Sequence, residues 1–182
     1  MATQIRAATI EDLYRVDGKA EIVDGELVLM PPTGEEPGRA SASVYISLRQ
    51  YERQGNGGRA VPDNVGFIVD LPKRQSFSPD AAFHFRQPAG MKFVEGAPVF
   101  AVEVRSEGDY GKTAERKLAQ KRADYFAAGT LVVWDVDLVS DEVIKSYSVA
   151  DPDQPRIFRR GEIADAEPAL PGFSMPVDEL FS

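Results

Sequence analysis

The chain has 182 residues, long enough for one domain with a sizeable core, and its 43% hydrophobic and 27% charged residues suit a soluble globular protein. No apolar run approaches the roughly 20 residues of a membrane span. Zero cysteines exclude disulfides and thiolate metal sites, and the single histidine, His84, excludes histidine-rich ones and leaves one candidate base for a Ser-His-Asp triad. A net charge of −8 argues against broad, non-specific coating of nucleic acid but leaves room for a locally basic cleft.

The opening residues MATQIRAATIEDL lack the apolar core of a signal peptide, so the expected compartment is the cytoplasm. Thr9-Ile10-Glu11-Asp12 resembles a capping box, with Asp12 where glutamate is usual, and predicts a short helix to about Arg15. Strands predicted over 20–23 and 26–30 flank Asp24-Gly25, a two-residue hairpin signal, and Pro31-Pro32 ends the second. A helix is predicted over 37–54, with Val44, Leu48 and Tyr51 on one face and Gly55, Gly57 and Gly58 as its stop. Short strands follow over 59–61, 65–71 and 81–85, and the loop 87–96, with Pro88, Gly90 and Gly96, is expected at the surface.

Residues 98–148 organise the rest. An apolar run over 99–104 holds one acid, Glu103; a loop with Gly108 and Gly111 leads to a helix ending near Ala128, and a second apolar run covers 131–136. Strand, crossover helix and strand predict neighbouring parallel strands joined right-handedly. Residues 142–148 alternate as a strand, 151–155 read as a turn, and 156–159 as a final edge strand. Leu170, Phe173, Leu180 and Phe181 of the tail are expected to dock onto the body. With no repeat or linker, 1–182 read as one mixed α/β domain.

A carboxylate inside a buried-type strand is costly unless it is paired or binds a metal, which singles out Glu103. Asp80 follows Pro79 at the start of another strand. If those strands pair, two carboxylates and a nearby backbone carbonyl can converge on a hard cation such as Mg2+ or Mn2+, which can activate water and screen a phosphodiester. The plainer alternative is two half-solvated acids at strand ends. Lys121 falls about 60° from Leu118 on a helix whose inward face is set by Leu118, Tyr125 and Gly129. From there an ammonium can steer water or neutralise a phosphoryl group; a snorkelling lysine beside Arg116, Lys117 and Arg122 is the alternative. That same cluster reads either as a guide for a phosphate backbone or as a solvated helix face. His84, Trp134 and Tyr147 read as packing residues.

Together, Pro79-Asp80, Glu103-Val104-Arg105, and Lys121 with Tyr125 and Gly129 resemble the Uma-type (Uma-two) endonuclease family of the PD-(D/E)XK restriction-endonuclease-like superfamily. EIVDGELVLMPP, EVRS, AGTLVVWDVD and LPGFSMPVDELF match as well, so the resemblance spans nearly the whole chain. It implies a restriction-endonuclease-like core, an α/β (α+β) fold with a central mixed β-sheet flanked by helices and an N-terminal hairpin. It also implies that Asp80 is the motif acid, Glu103 the second metal ligand, Val104 a ligand through its main-chain carbonyl, and Lys121 the catalytic lysine carried on the helix. Glu21 matches an acid the family often has and would complete the metal shell, unless it is an ordinary strand glutamate. Arg105 stands where the family usually has an apolar residue. Strand alternation puts it on the face of Glu103, where it is expected to assist phosphate binding but not to act as a base. Glu35-Glu36-Pro37 occupies the region where many members carry a histidine.

The expected function is a Mg2+- or Mn2+-dependent endonuclease hydrolysing phosphodiester bonds, with DNA as partner and no membrane contact. Such folds often work as homodimers, although no self-complementary surface is evident from the residues. The rival is a catalytically silent binding or assembly module on the same scaffold, towards which the acidic balance and Arg105 lean. A third reading is hydrolysis of a small phosphorylated substrate.

Overall fold

The computed structural model describes residues 6–182; residues 1–5, the start of the stretch assessed for a signal peptide, lie outside the described residues. Helix α1 (Ile10–Tyr14) opens on the expected capping box: the Asp12 N–H donates to Thr9 Oγ1 at 3.2 Å and the Thr9 N–H to Asp12 Oδ2 at 2.9 Å. Strands β1 (Lys19–Val23) and β2 (Glu26–Met30) form the hairpin. Its two turn residues, Asp24 (φ 51°) and Gly25 (φ 76°), both take the positive φ that a tight hairpin turn requires. Helix α2 (Glu35–Arg53) buries Val44, Leu48 and Tyr51.

Short strands β3 (Arg59–Val61), β4 (Phe67–Leu71), β5 (Arg74–Phe77), β6 (Ala81–His84) and β7 (Val94–Glu95) precede the central unit. That unit is β8 (Phe100–Val104), α3 (Lys112–Ala127) and β9 (Val132–Val136), with β8 and β9 parallel from Phe100↔Val132 to Val104↔Val136. The crossover expected from the sequence is therefore present. Strands β10 (Ile144–Ser148), β11 (Asp151–Phe158), β12 (Ile163–Asp165) and β13 (Ser174–Pro176) follow, and a 3-10 turn over Val177–Phe181 ends the chain.

The strands form two larger sheets rather than one, in the orders β11-β10-β9-β8-β6-β3 and β2-β1-β5-β4-β7, with β12-β13 as a small third. Phe100, Val102 and Val104 of β8 and Trp134 of β9 face α2 and the tail, where Leu170, Phe173 and Leu180 are buried and Phe181 packs against the cluster, as expected. The opposite face holds Ala101 and Val133, packed with Phe67 and Phe77 of the second sheet and Tyr125 of α3. Alternation along the strands places Glu103 and Asp135 on this second face.

Four expectations are corrected. Strand β5 was not foreseen, because RQSF reads as polar; its Ser76 and Arg74 are nevertheless buried, with Ser76 Oγ accepting the Ile22 N–H at 2.8 Å. The supposed turn at 151–155 is the first half of β11, an edge strand, where Pro152 and Pro155 are tolerated because no inner ladder needs their missing N–H. The loop 87–96 is not all surface, since Val94 is buried and its N–H donates to Gly66 O at 2.9 Å. Gly129 lies beyond α3, exposed and at φ 103°, so it ends the helix instead of lining its inner face.

Among the described residues, no helix is long and apolar enough to cross a membrane. The tail docking yields a test. Phe173 is 3% exposed, with its ring about the rings of Tyr51, Phe100 and Trp134 at 5.7, 6.2 and 6.1 Å. Phe173→Ala is expected to lower unfolding stability by about 3–5 kcal/mol in urea titration, against less than about 0.5 kcal/mol for Val139→Ala at the surface.

Candidate active site

The site forms where β6 begins and β8 ends. The Asp80 N–H donates to Val102 O at 3.0 Å, and Asp80 Oδ2 accepts the Val104 N–H at 2.7 Å. The side chain thus continues the ladder after the β6 backbone has run out. Asp80 Oδ1 lies 2.6 Å from Lys19 Nζ, which also donates to Asp63 Oδ1 at 2.7 Å.

Glu103 has no sheet partner for its side chain and is met instead by α3. Its Oε2 accepts from Lys121 Nζ at 2.8 Å and its Oε1 from the Tyr125 hydroxyl at 2.7 Å. Lys121 and Tyr125 are four apart and so share a helix face. Lys121 also lies 2.9 Å from Glu21 Oε1, which accepts the Ser78 N–H at 2.8 Å. Glu21 Oε2 accepts from Arg74 Nη1 at 2.5 Å, and Arg74 Nε donates to Asp124 Oδ2 at 2.7 Å. Lys19 and Glu21, two apart on β1, join the two halves because they point to the same side.

Five carboxylates (Glu21, Asp63, Asp80, Glu103 and Asp124) meet three cations (Lys19, Arg74 and Lys121), an excess of two negative charges when all are ionised. Burial pushes Glu103 up to about 7, with the Asp80 and Glu21 charges adding to it and Lys121 and Lys19 opposing. Burial pulls Lys121 down, but Glu103 and Glu21 outweigh it and raise the ammonium above its ordinary value. Burial likewise works against Lys19, and Asp80 and Glu103 raise it. Burial, then Glu103, lifts the Tyr125 hydroxyl well above its usual range, so it stays a donor. Glu21 is lowered: burial opposes its charge, but Lys121 and Arg74 prevail.

Among the described residues no three histidine, cysteine, aspartate or glutamate side chains gather as a ready-made metal cage. The donor set fits a less enclosed ion. Mg2+ commonly takes one or two carboxylates and keeps several waters. Each oxygen of Asp80 and Glu103 holds a single protein donor, leaving acceptor capacity. Glu21 Oε1 already holds two donors, the Ser78 N–H and Lys121.

The structure therefore brings Asp80, Glu103, Lys121, Glu21 and Val104 into one neighbourhood, Val104 through its N–H. Arg105 departs from its expected role. It is 7% exposed and makes four hydrogen bonds, two to Asp135 at 2.8 Å each and two to Glu115, so its guanidinium is an internal ion pair and not a free phosphate clamp. Of the expected basic helix face, Arg116 and Lys117 are exposed, while Arg122 lies over the Tyr147 ring at 3.8 Å. His84 packs edge-on against Phe67, and Trp134 and Tyr147 are buried. Lys19, Asp63, Arg74 and Asp124 were missed. Lys19 had a signal, its place two residues before Glu21 on a strand; Arg74 had none, since its strand was not foreseen.

A parallel strand–helix–strand unit, an antiparallel neighbour starting at Asp80, and an acid–lysine cluster at the strand ends define a restriction-endonuclease-like fold. The chain belongs to the Uma2 family, described as "Putative restriction endonuclease", which matches residues 7–178. Among solved structures, a "putative nuclease belonging to DUF820" from Anabaena variabilis ATCC 29413 superposes with a TM-score of 0.72 at 15% identity, covering 96% of this chain and 97% of that one. At that identity the likeness is one of fold. No curated protein gives a significant match.

The Glu103 carboxyl gives a test without substrate. Its value of about 7 in the folded chain compares with about 4.3 when unfolded, so the folded state holds the extra proton between those values. Stability without divalent ions should then fall as pH rises through that window and level off above it. Glu103→Gln is expected to flatten the profile, with a urea midpoint above that of the unaltered protein at pH 8 but not at pH 5. A lower midpoint at pH 8 would mean that Lys121 holds Glu103 ionised.

Proposed function

We propose that this protein is an endonuclease that hydrolyses phosphodiester bonds in DNA with the help of Mg2+ or Mn2+. One observation carries the reading: a partly buried cluster at the strand ends holds two more acids than bases, while burial drives Glu103 to about 7. A divalent cation matches that excess in sign and size. Asp80, Glu103 and the main-chain carbonyl of Val104 would hold it, and it would supply Lewis-acid stabilisation of charge at the phosphoryl oxygens.

Lys121 remains protonated, so its part is to donate: it positions the attacking water and neutralises charge developing on the phosphoryl group. Glu21, held by Arg74 on one oxygen and by the Ser78 N–H and Lys121 on the other, acts on Lys121 as a positioning residue in preference to joining the cation's ligands. Tyr125 fixes the rotamer of Glu103. Lys19 bridges Asp80 and Asp63 and offsets one of their two charges when no cation is bound. The competing reading, a catalytically silent binding or assembly module, is favoured by the fact that every oxygen of Asp80 and Glu103 already has a protein donor.

Cleavage of plasmid DNA in MgCl2 or MnCl2 separates the two. The nuclease reading expects Glu103→Ala and Lys121→Ala each to reduce the rate at least about a hundredfold while the proteins remain folded. Cleavage that persists in both variants removes the site, and none by the unaltered protein leaves the silent module. Lys19 makes a separate prediction. As a competitor for Asp80, its replacement in Lys19→Met should tighten Mn2+ binding in calorimetry about tenfold, whereas Asp80→Ala should abolish it.

A further inference from the structure

A second cleft, of about 660 Å3, opens along the free edge of β3. Tyr45, Arg49 and Glu52 of α2, Arg59 of β3, His84 of β6 and Lys92 of the following loop line it. Among these residues donors outnumber free acceptors. Glu52 is the one acid, and both its oxygens are taken, Oε2 by the Ala60 N–H at 2.9 Å and Oε1 by Arg49 at 2.5 Å. Arg59 and Lys92 are exposed, and among the described residues neither has a carboxylate within ion-pair distance. The Arg86 N–H donates to His84 Nδ1 at 3.2 Å, which leaves Nε2 of the neutral ring as a donor. Burial, with the Arg59 and Arg86 charges behind it, lowers the ring's pKa and keeps it neutral.

In a chain of net charge −8, a cleft with three cations and no free carboxylate is the reverse of the average surface. Its position connects it to the acid–lysine cluster. Strand β3 runs antiparallel to β6, with Arg59 opposite His84 and Val61 opposite Ala82, so the edge leads towards Asp80. Two residues beyond Val61, Asp63 shares the Lys19 ammonium with Asp80. Asp63 lies in the turn just past β3, so the four residues from Arg59 to Asp63 span at most about 14 Å.

We propose that the β3 cleft is the track for the phosphodiester backbone flanking the scissile bond, with Arg59 and Lys92 as its phosphate contacts. This rests on the nuclease reading and adds the path of the substrate to it. Arg49 remains paired with Glu52 and shapes the wall. The free N–H and C=O groups of an edge strand would also suit an extended peptide, but the charge favours an anionic backbone.

The test is fluorescence anisotropy of a labelled oligodeoxynucleotide in EDTA, where neither cleavage nor divalent ions intervene, beside a labelled polyglutamate peptide. Both residues are exposed, so Arg59→Glu/Lys92→Glu should keep its melting temperature and its Mn2+ affinity. It is expected to bind the oligonucleotide at least tenfold more weakly, with a log–log salt slope shallower by about 1.4 for two lost contacts to a single strand. Unchanged binding by this variant, when the unaltered protein binds, overturns the track and leaves the nuclease site standing. Polyglutamate bound as tightly as the oligonucleotide overturns it in favour of an acidic-peptide site. Absence of salt-dependent oligonucleotide binding by the unaltered protein overturns the track and leaves the nuclease reading to the cleavage assay, whereas cleavage that persists in both Glu103→Ala and Lys121→Ala overturns the nuclease site and, with it, a track leading to that site.

Discussion

Burial of the Glu103 carboxylate is the constraint to which the surrounding elements answer. An ionised acid between two sheets and a helix is tolerated only with donors at hand. Lys121 and Tyr125 supply them, Lys121 in turn lies against Glu21, Glu21 against Arg74, and Arg74 against Asp124, which returns to the helix that carries Lys121. The circuit passes through β8, α3, β1 and β5, and so ties the second sheet to the first. Apolar contacts hold helix α3 only lightly: Tyr125, stacked on Phe77 at 3.9 Å, is its one buried residue among those described, with Phe126 partly buried against the same cluster. Its placement is therefore electrostatic to an unusual degree, and the position of the lysine follows from the position of the acid.

Such a circuit is a poor source of stability, because desolvation of the ions offsets much of their attraction. The stability comes from the opposite face of the six-stranded sheet, where Phe83, Phe100, Trp134, Leu48 and Phe173 belong to one buried apolar cluster. The division follows strand alternation: on β8 the even positions, Phe100, Val102 and Val104, carry this core, while the odd ones, Ala101 and Glu103, face the second sheet. A molecule built this way can keep an over-acidic cluster without unfolding, since the cluster's cost is offset by residues one step along the same strands.

The parts of this that could be read in the sequence are those with local signatures. Asp24-Gly25 dictates a hairpin turn, Thr9 with Asp12 a helix start, and an acid within FAVEV demands a partner wherever it folds. Asp80 was legible from Pro79 and the strand that follows, and Lys121 from the helical wheel. What was hidden is long-range. RQSF becomes a strand only because Glu21, Asp124 and the Ile22 N–H, each 50 or more residues away along the chain, satisfy its polar side chains. The prolines at 152 and 155 signal a turn locally, but pairing at a sheet edge overrides them. Periodicity likewise reveals strands without revealing how many sheets they make.

Arg105 shows where face assignment ends and partner assignment begins. Alternation placed it beside Glu103 correctly, but β9 runs parallel to β8 in a register that sets Asp135 opposite Glu103. Asp135, 3% exposed, could not remain buried and unpaired there, and the nearest cation able to meet it in a bidentate fork is Arg105. The guanidinium is thereby drawn away from solution and towards the helix side of the sheet. A positive charge needed by an anionic substrate must then come from side chains without such obligations. The antiparallel edge beyond Asp80, where Arg59 and Lys92 have no acid to answer to among the described residues, is the place where the fold leaves them.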